Sequence, residues 1–109
     1  MERATDNKRR YPRKIAAWPA WVRFHRSGRY VKGRTRDVSA GGAYVVMPAA
    51  DGAAEGDAVE YILGVPAEVG DHLVIEAVNG TAHVVRVERG EDGGLALRFV
   101  EEVKVGENG

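Results

Sequence analysis

Two short clusters in this 109-residue chain hold side chains suited to polar recognition. The first is Arg9-Arg10-Tyr11-Pro12-Arg13, which sets two arginines, Arg9 and Arg13, four positions apart. A guanidinium forks onto phosphate oxygens or onto the acceptor edge of a purine, and its plane stacks on a base. Arg10 is a third cation in reach. The alternative register, Arg10 with Lys14, puts a lysine where a planar fork is wanted. Pro12 fixes one backbone angle and restricts Tyr11, which lowers the entropy cost of ordering the segment. The second cluster is Asp37-Val38-Ser39-Ala40-Gly41-Gly42. Asp37 is an acceptor-only carboxylate suited to paired N–H donors, and the Ser39 hydroxyl can donate to phosphate or base. Gly41 and Gly42 permit a positive φ and close approach of a ligand to the main chain.

The same residues have plainer uses. Arg9 and Arg13 fit a solvated basic arm, and Asp37 with Ser39 fits a side-chain-stabilised turn ahead of two glycines. Other chemistry finds little support. The chain has no cysteine, which excludes disulfides, thiolate metal sites and cysteine nucleophiles. His25, His72 and His83 are scattered without metal-ligand spacing. No Ser-His-acid arrangement, nucleophile elbow, Walker loop or paired carboxylates can be recognised, so no catalytic or metal-binding residue is assigned. The zero net charge conceals a split. The first 36 residues hold 12 Lys and Arg against Glu2 and Asp6, whereas the rest hold 4 against 14 acids. A basic first third suggests an anionic partner or, more plainly, basic and acidic segments facing each other across the fold.

The elements that must position these clusters are strands. Residues 1–14 are polar, basic and without apolar periodicity, which predicts a flexible arm. Strand patterns begin at Ile15 and run to Phe24 past Pro19, with a turn at Ser27-Gly28. A polar strand follows over residues 29–38, and Ala40-Gly41-Gly42 breaks it before an apolar strand at residues 43–47. Residues 48–56 read as loop. Further strands are expected at residues 57–63, 72–78 and 82–88, the last two joined by an Asn79-Gly80 hairpin turn. Leu95, Leu97 and Phe99 alternate as the inward face of a final strand. Trp18 and Trp21 are expected in core or barrel-edge packing. The pattern predicts an all-β fold, a small six- to seven-stranded antiparallel β-barrel with a flexible basic N-terminal arm. The expected organisation is an arm over residues 1–14, a barrel over 15–102 and a frayed tail over 103–109.

In order and spacing the two clusters resemble the signature motifs of the PilZ domain family, RxxxR followed by [D/N]xSxxG. Arg9 and Arg13 match the first, and Asp37, Ser39 and Gly42 the second. The likeness extends to a Gly-rich turn and an apolar-Arg-Phe ending at residues 94–99, covering residues 8–101. It implies a six-stranded barrel, found in bacteria, whose N-terminal arginine loop folds over the barrel mouth to enclose cyclic di-GMP, and no chemical reaction. On that basis Arg9, Arg10, Arg13, Asp37, Ser39, Gly41 and Gly42 are the expected ligand-binding residues. Asp37 would accept from guanine N1–H and the 2-amino group. No cofactor beyond the ligand is expected.

Two other readings stay open. One is a barrel of this kind serving as a protein-interaction adaptor without ligand. The other is a basic β-barrel that binds nucleic acid through its arm and aromatics such as Tyr11, Tyr30 and Tyr44; the acidic remainder of the chain argues against it. The segment MERATDNKRR lacks the apolar run of a secretory signal, and nothing approaches the roughly 20 apolar residues that span a bilayer. A cytoplasmic location without membrane insertion is therefore expected, with a downstream protein partner.

Overall fold

A computed structural model of the protein describes residues 14–25, 27–47 and 52–103. It contains seven strands: β1 (Lys14–Ile15), β2 (Pro19–Phe24), β3 (Tyr30–Ser39), β4 (Gly42–Val46), β5 (Ala58–Val69), β6 (His72–Glu88) and β7 (Gly94–Phe99). All pairings are antiparallel, in the order β1-β3-β2-β5-β6-β7-β4, and a further pairing of β4 with β3 closes the ring. The result is the expected all-β fold, a closed six-stranded barrel with β1 as an extra strand. Closure leaves no free edge around the ring.

The interior follows from alternation along each strand. Ala20 and Val22 of β2, Val38 of β3, Ala43 and Val45 of β4, Val59, Tyr61 and Leu63 of β5, and Ala82 and Val84 of β6 are buried. Leu95, Leu97 and Phe99 point inward as their spacing predicts, and Tyr61 stacks on Phe99 with ring centroids 4.7 Å apart. Val103 is also buried, and its N–H donates to the Ala40 carbonyl at 2.9 Å, so the chain stays docked to the barrel through that residue. Trp18 packs against the core, and Trp21 lies under the Lys32 ammonium of the facing strand.

The Asn79-Gly80 turn does not form. β5 and β6 run on as one long hairpin, and the reversal comes at Gly70-Asp71, where Gly70 takes φ +62°. Asn79 and Gly80 sit within β6 opposite Ile62 and Tyr61. Gly80 is glycine for another reason: a Cβ there would lie 2.8 Å from the Tyr61 hydroxyl. Among the described residues, 64–77 pair only with one another, as a two-stranded ribbon that exposes Val69, Leu73 and Ile75. Pro66 is tolerated there because its strand has no partner on the other side.

β1 and β2 lie along the same edge of β3, interrupted at Ala16-Ala17-Trp18. Thr35, which is 2% exposed, bridges the gap. Its hydroxyl accepts from the Trp18 N–H at 2.8 Å and donates to the Ala16 carbonyl, while its own N–H donates to the Trp18 carbonyl at 2.9 Å. Replacing Thr35 by valine keeps the shape but strands one donor and one acceptor in the interior. Thr35→Val is expected to cost about 1–3 kcal/mol in urea unfolding, with Thr35→Ser much closer to wild type. Equal midpoints for all three would show that the bridge contributes nothing.

Candidate functional site

The second sequence cluster lies at the end of β3 and the tight turn into β4. Ser39 pairs with Gly42 across the turn, which is held from outside: the Gly41 carbonyl accepts from Phe99 N–H at 2.8 Å. Ser39 is buried, its oxygen accepting from Gly41 N–H at 3.2 Å while its hydroxyl points to the Gly42 carbonyl at 3.4 Å. The turn role of Ser39 is therefore real. Neither Gly41 nor Gly42 has a positive φ, contrary to expectation. Gly42 is required by a close approach within the protein instead, since a Cβ there would stand 2.2 Å from the Leu97 carbonyl of β7.

Register places the cluster on the outer wall of the barrel. Directly opposed residues share a face. One row therefore runs Asp37, Tyr44, Ala96, Arg86 across β3, β4, β7 and β6, and the next runs Ser39, Gly42, Arg98, His83. A third row, Arg34, Val46, Gly94, Glu88, lies on the far side of the first. Bulges flank the central row on both sides. Arg36 is the extra residue between Thr35 and Asp37, and Val85 the extra residue between Val84 and Arg86. A bulge bends its strand and re-aims the adjoining side chains.

Tyr44 organises this wall. It is 1% exposed although it points away from the core. The Arg36 guanidinium carbon lies 3.9 Å from its ring centroid and that of Arg86 5.8 Å. Its hydroxyl donates to Glu88 Oε1 at 2.8 Å, and Arg86 Nε donates to Glu88 Oε2 at 2.9 Å. Arg36 Nε also reaches Asp37 Oδ2 at 3.3 Å. Burial, then the bond to Glu88, push the Tyr44 phenol above its usual range. The bond from Tyr44, then that from Arg86, hold the Glu88 carboxyl below its usual range. On this wall stand four arginines, Arg34, Arg36, Arg86 and Arg98, against two carboxylates, Asp37 and Glu88. The surplus of two positive charges suits a ligand with two phosphates.

Arg9, Arg10 and Arg13 lie outside the described residues. Their point of attachment does not. Lys14, the residue after Arg13, pairs with Val38, and Ile15 pairs with Asp37. The RxxxR segment is thus covalently joined to the barrel beside the Asp37–Gly42 cluster, although more than 20 residues separate the two in sequence.

The wall also contains residues that sequence reasoning missed. Arg36, Arg86, Glu88 and Arg98 come together only through pairing register. Tyr44, taken as an exposed aromatic, is covered, whereas Tyr30 is exposed. A signal for the bulges existed in the spacing: Thr35 and Val38, like Val84 and Val87, are inward positions three apart where an unbroken strand gives two.

Elsewhere, a cleft of about 350 Å³ lies between Tyr61, Val78, Gly80 and Val103. Glu76, Glu101 and Glu102 line it, a charge pattern that repels phosphates. Among the described residues no group of three or more His, Cys, Asp or Glu could hold a metal ion, and no helix is long and apolar enough to cross a membrane.

The family model described as "PilZ domain" matches residues 7–107, nearly the whole chain. The chain belongs to the PilZ domain family. Three solved structures share its fold. MotI/DgrA, the inhibitor of motility of Bacillus subtilis, aligns with TM-score 0.71 at 21% identity over 88% of this chain. This chain spans only 44% of that protein's length. The PilZ domain of CeSA from a cellulose-synthesising bacterium gives 0.60 at 22% identity, covering 83% of this chain and 82% of its own. The PilZ domain of YcgR from Escherichia coli, solved with c-di-GMP, gives 0.58 at 17% identity, covering 85% and 78%. No curated protein matches the sequence.

The Tyr44–Glu88 bond sets an expectation for pH. Because the folded-state carboxyl titrates below its unfolded value of about 4.5, Glu88 contributes stability above that value and loses it as pH falls through the lower, folded value. Thermal unfolding of wild type and Glu88→Gln from pH 7 to pH 3 should show a wild-type advantage that shrinks on acidification. A constant difference across the range would mean that the Glu88 charge plays no part.

Proposed function

We propose that this PilZ domain is a receptor for cyclic di-GMP that catalyses no reaction and signals to a partner protein through a change in its own surface. The observation that carries the proposal is the cationic outer wall centred on Asp37, with the RxxxR segment attached beside it through β1. In this reading Arg9 and Arg13, assisted by Arg10, take the phosphates and guanine edges, and Asp37 accepts from guanine N1–H and the 2-amino group. Ser39 serves the turn and lends its hydroxyl to the ligand, while Gly41 and Gly42 keep the floor low. The related YcgR domain, solved with c-di-GMP, supports the choice of ligand.

Ligand closure would order residues 5–14 against the rim from Asp37 to Gly42 and create or hide a docking face. Backbone amide order parameters for these residues should rise on ligand addition, and unchanged values would sink the closure step. A role in protein interaction has separate support in the ribbon of residues 64–77, whose exposed Val69, Leu73 and Ile75 no other described strand covers.

Calorimetric titration of cyclic di-GMP into wild type and into an Arg9→Ala, Arg13→Ala double mutant tests the ligand directly. Removing one bidentate arginine should weaken binding by roughly 5- to 150-fold, or about 1–3 kcal/mol, so the double mutant should fall out of range. Linear or adenine analogues should bind poorly. A general nucleic-acid binder would instead tolerate any sequence and lose affinity steeply with salt. Absence of heat with wild type would leave the ligand-free adaptor as the better account.

A further inference from the structure

We infer that Arg36, a residue of neither family motif, forms a base-stacking platform built into the barrel and meets one guanine of the bound ligand through the open face of its guanidinium. The inference rests on cyclic di-GMP being the ligand.

The geometry begins with the bulge. Without an extra residue between Thr35 and Asp37, the side chain at position 36 would continue the regular alternation of β3. The bulge turns it over the neighbouring strand, where the guanidinium carbon comes to 3.9 Å from the Tyr44 ring centroid. A planar cation laid on an aromatic ring is fixed in orientation on one side only. The Arg36 side chain remains 55% exposed. One face is therefore committed to Tyr44 and the other is presented to solvent.

What that face accepts follows from its chemistry. A guanidinium plane is weakly hydrated and stacks readily on a second π-system, so a base above it extends the Tyr44–Arg36 pile by one layer. Asp37 stands at the edge of this pile, its carboxylate 3.3 Å from Arg36 Nε. A guanine stacked on Arg36 thus meets a carboxylate beside it, the acceptor that its N1–H and amino group require. Face and edge of one base would be read by adjacent residues.

The contacts of the platform are in place without ligand. The Arg86 guanidinium lies 5.8 Å from the Tyr44 ring centroid, and the Tyr44 hydroxyl is held by Glu88, which Arg86 also grips. These interactions make Tyr44, Arg86 and Glu88 positioning residues: they orient Arg36 and do not themselves touch the base.

The test is calorimetric titration of cyclic di-GMP into the full chain as wild type, Arg36→Ala and Arg36→Lys, with thermal unfolding of each. Removal of one base stack should weaken binding roughly 5- to 150-fold. Both variants are expected to weaken by that factor, because lysine keeps the charge without the plane, and both should unfold close to wild type since the side chain is exposed. Wild-type affinity retained within about twofold by Arg36→Ala would overturn the platform. So would recovery by Arg36→Lys, which would reduce Arg36 to a point charge for phosphate. A wild type that does not bind at all would overturn the ligand assignment, and the stacking with it. A third variant, Tyr44→Leu, removes the support. An Arg36→Ala, Tyr44→Leu double variant that binds no more weakly than Arg36→Ala alone supports the pile, and additive weakening counts against it.

Discussion

Everything in this barrel turns on β3 having to pair along both edges. It carries β1 and β2 on one side and β4 on the other, and only because it does so is the sheet closed. Two irregularities fall together on this ten-residue strand. They involve two adjoining residues. Thr35 turns its hydroxyl inward and bridges the break between β1 and β2, and Arg36 is squeezed out as a bulge toward β4. The side chain that best offers a planar cation to solvent is thus placed by the same constraint that closes the fold.

From that closure follows the character of the outer wall. Strands β4 and β7 contribute Gly42, Gly94 and Ala96, which keep the centre low, with Tyr44 and Arg98 as the large polar residues beside them. The other charged residues, Arg34, Arg36, Asp37, Arg86 and Glu88, stand on the flanking strands β3 and β6, each of which carries a bulge. The segregation of charge along the chain understates what the fold achieves. Arg34 and Arg36 come from the basic first third, but Arg86 and Arg98 come from the acidic remainder. Pairing in register gathers all four on one face while Glu76, Glu101 and Glu102 collect around the cleft elsewhere. An anionic ligand therefore meets one attractive face and one repellent cleft on a molecule whose net charge is zero.

Much of this could be read from the residues alone where a single rule governs a position. Leu95, Leu97 and Phe99 alternate because β7 is straight and has one buried side, and Asp37 to Gly42 announce a turn through residue type. Reading failed where two rules competed. Asn79-Gly80 has the composition of a hairpin turn, but Gly80 is glycine to clear the Tyr61 hydroxyl, and the chain reverses at Gly70-Asp71 instead. Gly42 has the composition of a positive-φ residue, but the Leu97 carbonyl is what excludes a side chain there. The row Asp37, Tyr44, Ala96, Arg86 was invisible because it depends on two register shifts, and a shift of one residue reverses which face a side chain occupies. A glycine in a sequence states that space or φ is constrained without stating which, and only the neighbours decide.

The two halves of the proposed site differ in what binding costs them. The barrel half is preorganised: Tyr44, Glu88 and Arg86 are hydrogen-bonded or stacked before any ligand arrives, so a base placed there orders few new side chains. In the proposed complex the backbone of the basic RxxxR half would be fixed on closure, which would offset part of each arginine interaction. Attachment through Lys14 at the level of Val38 reduces that cost by keeping the segment's end at the site whether or not ligand is present. In the proposed complex such a floor would let the first interactions form with little loss of entropy, and a tethered cover would make the complex depend on all of them together. Such a division would suit a switch, because the free energy that selects the ligand would also order the part of the surface a partner reads.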